Sequence, residues 1–182
     1  MSTDPDSKAV AREAEPSFCL HASSAAFDGR AVLFTGDSGA GKTTALELIR
    51  GTGRHAFGDE LAVCTLAPGG RWMLSDAAST RGGKLTCAPE HVAARIALLV
   101  HLQAHLERGF ALRPCSALES VVRGYRSVIE PGQHLPAVRA HRFRLFSQFA
   151  RAVPAAVLDF SLRPDFVAAV EARIKEGVRH DN

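Results

Sequence analysis

"AVLFTGDSGAGKTTALELI", from Ala31 to Ile49, places an apolar run directly before closely spaced glycines and a Lys-Thr-Thr. The apolar run predicts a buried strand, and the spacing of Leu46 and Ile49 predicts a helix after the glycines. Residues 36–43 fit the pattern G-x-x-x-x-G-K-[ST], in which a glycine-rich loop between a strand and a helix binds phosphate. The sequence therefore predicts an α/β fold that binds a nucleotide.

The glycines are expected to leave the backbone of this loop bare, so that its N–H groups can turn inward around a phosphate. The start of the following helix adds a partial positive charge. Lys42 is expected to reach the β- and γ-phosphates, and the Thr43 hydroxyl to bind Mg²⁺. The predicted phosphate-binding residues are Gly36, Asp37, Ser38, Gly39, Ala40, Gly41, Lys42, Thr43 and Thr44.

Two adjacent carboxylates, Asp59 and Glu60, follow a short predicted strand over Arg54 to Gly58. Because ligands of open α/β sheets bind at the carboxyl ends of strands, both side chains are candidates for the site. One can hold Mg²⁺ while the other accepts a proton from an attacking hydroxyl or water. The alternative is that both are solvated turn residues. His21 is a further candidate, or else a core histidine with its own partners.

Length and composition limit the class of protein. With 182 residues, the chain is expected to form one domain over residues 17–178, after a flexible tail over residues 1–16. A hydrophobic content of 46% and a charged content of 23% are typical of a globular protein. We expect a cytoplasmic protein, because no signal peptide, membrane-spanning stretch or C-x-x-C pair is found. Nucleic acid and membrane are not expected partners.

Turn residues and apolar spacing predict the other elements, which become mostly helical toward the C-terminus. Asp28-Gly29 predicts a hairpin, and a polar segment over Ser75 to Lys84 predicts a mobile loop. Arg81 and Lys84 in this loop are candidates to cover the developing charge or bind the acceptor; the alternative is that they only keep the loop soluble. The remaining predicted elements are a hairpin of Leu61–Leu66 and Arg71–Leu74, helices from Pro89 to Gly109, Ser116 to near Ile129, Pro136 to Ala152 and Pro164 to Glu176, and a strand over Val153 to Leu162.

Two side-chain patterns on the predicted helices could form binding sites. His101 and His105 stand four residues apart, a spacing that can hold a metal ion, but no third ligand accompanies them. Phe143, Phe146 and Phe149 have helical spacing and are expected in the core rather than around a ligand.

The run "GRAVLFTGDSGAGKTTALELI", followed by "FGDE", resembles the catalytic domain of the bacterial HPr kinase/phosphorylase family, serine kinases built on a P-loop. His21 in "LHASSAAFDGR" matches the family's histidine ahead of the loop. Asp59 and Glu60 match its paired aspartates, with glutamate in the second position. The chain is similar to the short, single-domain relatives, some of which accompany peptide-modification gene sets such as those of lasso peptides.

The resemblance implies a single P-loop domain of the HPr kinase/phosphoenolpyruvate carboxykinase type, with a mixed sheet and a helical C-terminal flank. It implies transfer of phosphate from ATP, with Mg²⁺, to a serine-type hydroxyl of a peptide or protein. Asp59 would be the base, Glu60 would lie on the metal side with Thr43, and His21 would orient the acidic pair. A homo-oligomer is compatible with it. The residues alone leave open a nucleotide-hydrolysing switch or assembly ATPase, in which water replaces the acceptor.

Overall fold

The computed structural model describes residues 16–81, 84–87, 94–129 and 135–179. These ranges hold eleven strands and four α-helices. The helices are α1 (Lys42–Gly51), α2 (Ala117–Gly124), α3 (Pro136–Ala152) and α4 (Phe166–Arg179). The strands are β1 (Ser17–Leu20), β2 (Ser23–Phe27), β3 (Arg30–Thr35), β4 (Ala56–Gly58), β5 (Leu61–Ala67), β6 (Arg71–Arg81), β7 (Lys84–Cys87), β8 (Ala94–His105), β9 (Phe110–Cys115), β10 (Val128–Ile129) and β11 (Ala155–Phe160).

The strands form a mixed sheet in the order β10-β1-β5-β6-β8-β3-β2-β4, with β7 beside β6 and β11 between β8 and β9. Strands β3, β8 and β11 are parallel, and the other pairs are antiparallel. The carboxyl ends of β3, β8 and β11 therefore lie at one edge of the sheet, and their amino ends lie at the other. The mixed α/β class predicted from the sequence is confirmed.

The central strand β3 is buried on both faces. Ala31 and Leu33 pack into a core with α3, whereas Val32 and Phe34 pack into a second core with α1 and α4. All four side chains are fully buried. Because β3 lies in the parallel part of the sheet, helices must cover both of its faces. This packing fixes the end of β3, and with it the glycine-rich segment that follows.

Several predicted elements are present. Asp28 and Gly29 join β2 to β3 with φ angles of 48° and 74°, as a tight hairpin requires. Strands β5 and β6 form the second predicted hairpin. Helix α3 has its predicted bounds, and Phe146 and Phe149 are fully buried, whereas Phe143 is 46% exposed. The core prediction is therefore right for two of the three phenylalanines.

The predicted helix from Pro89 to Gly109 is wrong, because residues 94–105 form strand β8. Residues 88–93 lie outside the described ranges. In β8, Leu98 and Val100 face one core while Ile96 and Leu99 face the other. A strand buried on both faces is apolar along its length, so its periodicity does not distinguish it from a buried helix.

The predicted loop over Ser75 to Lys84 is also wrong, since β6 continues to Arg81 and pairs with both β5 and β7. Glycines 82 and 83, and the side chains of Arg81 and Lys84, lie outside the described parts. Backbone pairing with two neighbours explains why a polar sequence is extended here. Strand β9 was not predicted; it pairs with β11 at the edge of the sheet.

The helix ends differ from prediction at two places. The Ser116 hydroxyl accepts a hydrogen bond from the Glu119 amide at 3.2 Å and so caps α2 at its predicted start, but α2 ends at Gly124, before the predicted end near Ile129, and a 3₁₀ turn follows. Helix α4 continues through Gly177 to Arg179. The predicted tail lies outside the described residues except for Pro16. None of the helices in the described ranges has the length and apolar character needed to cross a membrane.

Candidate active site

The segment from Gly36 to Gly41, here called the glycine loop, connects the carboxyl end of β3 to α1. Gly39 and Gly41 have φ angles of 80° and 93°, a conformation that residues with side chains rarely adopt. A Cβ atom on Gly36 would lie 2.8 Å from the Leu102 carbonyl oxygen and 2.9 Å from the Ala40 Cβ. Glycine at 36 thus lets the loop lie against β8.

Lys42 begins α1 and turns its side chain back into the glycine loop. Its Nζ donates hydrogen bonds to the carbonyl oxygens of Gly36 at 2.9 Å and Asp37 at 3.2 Å, and the residue is only 9% exposed. Asp37, Ser38 and Gly39 are exposed at the tip of the loop. An ammonium group and a helix N-terminus therefore meet at one point, which favours an anion.

Asp59 forms side-chain hydrogen bonds to both α1, the helix after the glycine loop, and strand β2. One carboxylate oxygen accepts a hydrogen bond from the Thr43 hydroxyl at 2.9 Å, and the other accepts one from the Ser23 hydroxyl at 2.5 Å. Ser23 is fully buried and Thr43 is exposed. The structure thus brings together Asp59 and Thr43, which the sequence placed in one site from separate motifs.

Glu60 has a φ angle of 99° in the turn between β4 and β5. Such a backbone conformation costs a residue with a side chain about 1–3 kcal/mol. Asp28 is the other non-glycine residue with positive φ in the described ranges, and it lies in a hairpin turn where aspartate tolerates that conformation. Because its strained backbone lies next to the candidate base Asp59, Glu60 is a candidate functional residue.

His21 is exposed between β1 and β2, and it interacts electrostatically with Lys42 and the two carboxylates. Partial loss of hydration lowers the pKa of His21 below 6.5, the Lys42 ammonium lowers it further, and the charges of Glu60 and Asp59 raise it. The imidazole is therefore neutral at neutral pH. Its backbone N–H donates to the Ser127 carbonyl at 2.7 Å, which ties this segment to the turn after α2.

A groove of about 340 Å³ adjoins the start of the glycine loop. The groove has no signal in the sequence, because it forms only when β8 and α2 meet beside the loop. Two guanidinium groups, those of Arg123 and Arg126, line it together with His101. Its other lining residues are Gly36, Asp37, Leu102, Glu119 and Val122.

His101 lies opposite Thr35 in the pairing of β8 with β3 and is 2% exposed. Its Nε2 is 2.9 Å from the Ser120 hydroxyl, and its Nδ1 has no hydrogen-bond partner in the described part of the chain. Burial lowers the pKa of His101 to about 4; the Arg123 charge also lowers it, and Glu119 opposes the shift. Nothing is described of the His105 side chain.

Glu119 holds two arginines at the edge of this groove. Its carboxylate accepts hydrogen bonds from Arg113 at 2.7 Å and from Arg123 at 2.8 Å. These hydrogen bonds hold the pKa of Glu119 at about 2. Arg123 is thus neutralised by a partner, and the exposed Arg126 adds positive charge toward the loop.

The oxygen atoms of Thr43 and Asp59 are the kind of ligand that Mg²⁺ prefers, and Glu60 provides a further carboxylate nearby. Within the described ranges, no three His, Cys, Asp or Glu side chains cluster closely enough to hold a metal ion by themselves. This donor set fits a Mg²⁺ ion that arrives with a nucleotide, since such ions take only one or two protein ligands plus phosphate oxygens and water.

Comparison with known proteins adds a distant likeness. No family model matches the sequence, and no curated protein matches it. Among solved structures, the chain is similar to the Hpr(Ser) kinase/phosphatase from Coxiella burnetii, with a TM-score of 0.30 and 17% identity. The match covers 70% of this chain and 92% of that chain. A similarity at this level assigns neither a family nor an activity to the chain.

Proposed function

We propose that the protein transfers the γ-phosphoryl group of ATP to a serine-type hydroxyl of a peptide or protein. The observation that carries the proposal is the position of the Asp59 carboxylate. It accepts a hydrogen bond from the hydroxyl of Thr43. Thr43 directly follows Lys42, whose ammonium donates a hydrogen bond into the glycine loop. The proposed phosphate-binding element and the proposed proton acceptor are thus neighbours, which supports phosphoryl transfer to a hydroxyl.

Binding of the triphosphate is assigned to the loop backbone, the start of α1 and Lys42. The Lys42 ammonium now contacts two loop carbonyls, and a phosphate is a stronger, charged acceptor for the same donors. Mg²⁺, held by Thr43 and Glu60 with the phosphates, would neutralise charge on the transferring group. Asp37, Ser38, Gly39, Ala40 and Thr44 complete the proposed phosphate site.

Asp59 is the proposed base. The Ser23 hydroxyl already donates to one of its oxygens, so this carboxylate can accept a serine proton at hydrogen-bond distance. Ser23 is fully buried and is not itself the proposed acceptor. As the acceptor oxygen bonds to the γ-phosphorus, the bond from that phosphorus to the β–γ bridging oxygen breaks. The hydroxyl proton passes to Asp59, and ADP leaves.

The proposed role of His21 is to position the acidic pair. Its imidazole interacts with the Lys42 ammonium and with the charges of Glu60 and Asp59, so it lies beside the pair that it would orient. The free thiols of Cys19, Cys64 and Cys115 support a reducing compartment, and we propose the cytoplasm.

The test is incubation of the purified protein with Mg-ATP and a library of serine-containing peptides, followed by mass spectrometry. We expect at least one peptide to gain a phosphate, and a matched peptide with alanine at that serine to remain unmodified. The Asp59→Asn variant should still bind ATP. Slow ATP hydrolysis that a partner protein stimulates, with every peptide and protein unmodified, would instead support a nucleotide-hydrolysing switch and overturn the kinase.

A further inference from the structure

A second cavity lies at the amino ends of the central strands, at the edge of the sheet away from the glycine loop. Arg30 begins β3, Arg71 begins β6 and Arg95 is the second residue of β8. All three line one cavity of about 180 Å³, together with apolar residues such as Pro154 and Ile174. This volume has room for several water molecules, and hence for a small anion.

The charges around this cavity have one sign. In the described part of the chain, its lining contains three arginines and no aspartate or glutamate. Folding brings the guanidinium groups of Arg30 and Arg71 to one lining from positions far apart in the sequence. Guanidinium groups also present paired N–H donors in a geometry that matches phosphate and carboxylate.

Trp72 lines the same cavity and provides an independent observation. The residue is 2% exposed, and its indole N–H has no hydrogen-bond acceptor in the described ranges. A buried donor without an acceptor is unfavourable by about 1–3 kcal/mol. An oxyanion that enters the cavity brings acceptor atoms to a lining whose described side chains are donors or apolar.

The cavity is separate from the candidate active site. Arg30 and Thr35 mark the two ends of β3, and a strand rises about 3.3 Å per residue, which separates them by roughly 17 Å. The lining shares no residue with the glycine loop or with the groove beside it. An anion here would therefore not occupy the position proposed for the triphosphate.

We propose that this arginine cavity is a binding site for a small oxyanion of the phosphate or phosphomonoester class. The site does not depend on the proposed phosphoryl transfer, because none of its residues belongs to that machinery. Arg30 and Arg71 bind the anion, Arg95 adds positive charge, and the indole of Trp72 forms one wall.

The test uses Trp72 as a reporter, since it is the only tryptophan in the chain. Its fluorescence is measured while inorganic phosphate, or glycerol phosphate in a second arm, is added at constant ionic strength. We expect a saturable change in the wild type and in Lys42→Ala, which lacks the loop ammonium. We expect at least a tenfold loss of affinity in Arg30→Gln/Arg71→Gln. A matched control, Arg144→Gln/Arg163→Gln, removes two exposed arginines elsewhere and should keep the wild-type affinity.

The two arms separate the possible ligands: a response to glycerol phosphate alone indicates a monoester, and a response to both indicates recognition of the phosphate group. If the double glutamine variant does not fold, Arg30→Lys/Arg71→Lys keeps the charge, and it should bind phosphate more weakly because lysine lacks the paired donors. The proposal is overturned if the wild type shows no saturable change. It is also overturned if the change disappears in Lys42→Ala but persists in the arginine variants.

Discussion

The two ends of β3 carry opposite kinds of charge arrangement. At the carboxyl end, a lysine, a histidine and two carboxylates lie together, and hydrogen bonds link Asp59 to its neighbours. At the amino end, Arg30, Arg71 and Arg95 surround a small cavity whose described lining contains no acid. One end of the sheet mixes donors, acceptors and both signs of charge, whereas the described lining of the cavity at the other end has arginines as its charged residues.

This difference separates the proposed catalytic site from the proposed anion-binding site. Transfer of phosphate to a hydroxyl needs positive charge for the phosphates and a nearby acceptor for the proton. The glycine-loop end supplies both, in Lys42 and Asp59. Guanidinium groups do not give up protons near neutral pH, so the arginine end can hold an anion but cannot take its proton.

The largest expected effect comes from Lys42→Ala, which should abolish phosphoryl transfer and weaken ATP binding. The substitution removes the ammonium that the loop holds against its own carbonyls. Binding can be measured by calorimetry with Mg-ATP and a thermal melt to confirm folding. Lys175→Ala, which removes an exposed lysine on α4, is the matched control and should leave both quantities unchanged. Full activity in Lys42→Ala would contradict the assignment of the loop.

Asp59→Asn should spare ATP binding but reduce turnover about 100-fold or more, the usual contribution of a general base. Asparagine keeps the shape of the side chain and can still hydrogen-bond Ser23 and Thr43, but it cannot accept the acceptor's proton. Steady-state kinetics with a phosphorylated product separates kcat from KM. Asp28→Asn, in the hairpin at the arginine end, is the control. An unchanged kcat in Asp59→Asn would show that Asp59 is not the base.

The comparison also shows what the sequence can predict. The glycine loop was predictable because its chemistry is local: the phosphate pattern, the strand before it and the helix after it occupy one continuous stretch. Asp59 and Glu60 were found because they directly follow a short strand. In both places, neighbouring residues in the chain carry the signal.

The groove and the arginine cavity were not predictable in this way. Arg30 and Arg95 are far apart in sequence, and they meet only because β3 and β8 pair as parallel strands. Because the apolar spacing predicts a helix over this stretch, the pairing of β8 with β3 is not visible in the sequence, and His101 is expected beside His105 and not beside Ser120. Contacts that depend on non-local strand pairing leave no local periodic pattern.

His101 should make the protein less stable in acid. Its folded-state pKa of about 4 lies below the ordinary 6.5, so between these values the unfolded chain binds a proton that the folded protein does not. The free energy of unfolding should therefore rise with pH across this window by up to about 3 kcal/mol. Urea unfolding of wild type at several pH values measures it.

The control for this effect is a comparison of two histidine variants. His101→Gln should flatten the rise in stability between pH 4 and 6.5, although it lowers stability overall. His141→Gln, on the exposed side of α3, should retain the wild-type slope. The buried-histidine explanation fails if wild type and His101→Gln have parallel curves.

The smallest expected effect tests whether backbone strain is concentrated at the glycine-loop end of the sheet. Glu60→Gly should raise the free energy of unfolding by about 1 kcal/mol, because glycine adopts the φ of 99° without strain. The larger conformational entropy of glycine in the unfolded chain offsets part of this gain and is included in that value. Glu60→Ala keeps a Cβ and should bring no such gain. Asp28→Gly, at the other end, should also bring none, because aspartate tolerates its φ of 48°. Both Glu60 variants should lose activity alike if the carboxylate serves the metal side. A gain at Asp28 equal to that at Glu60 would show that strain is not confined to the glycine-loop end.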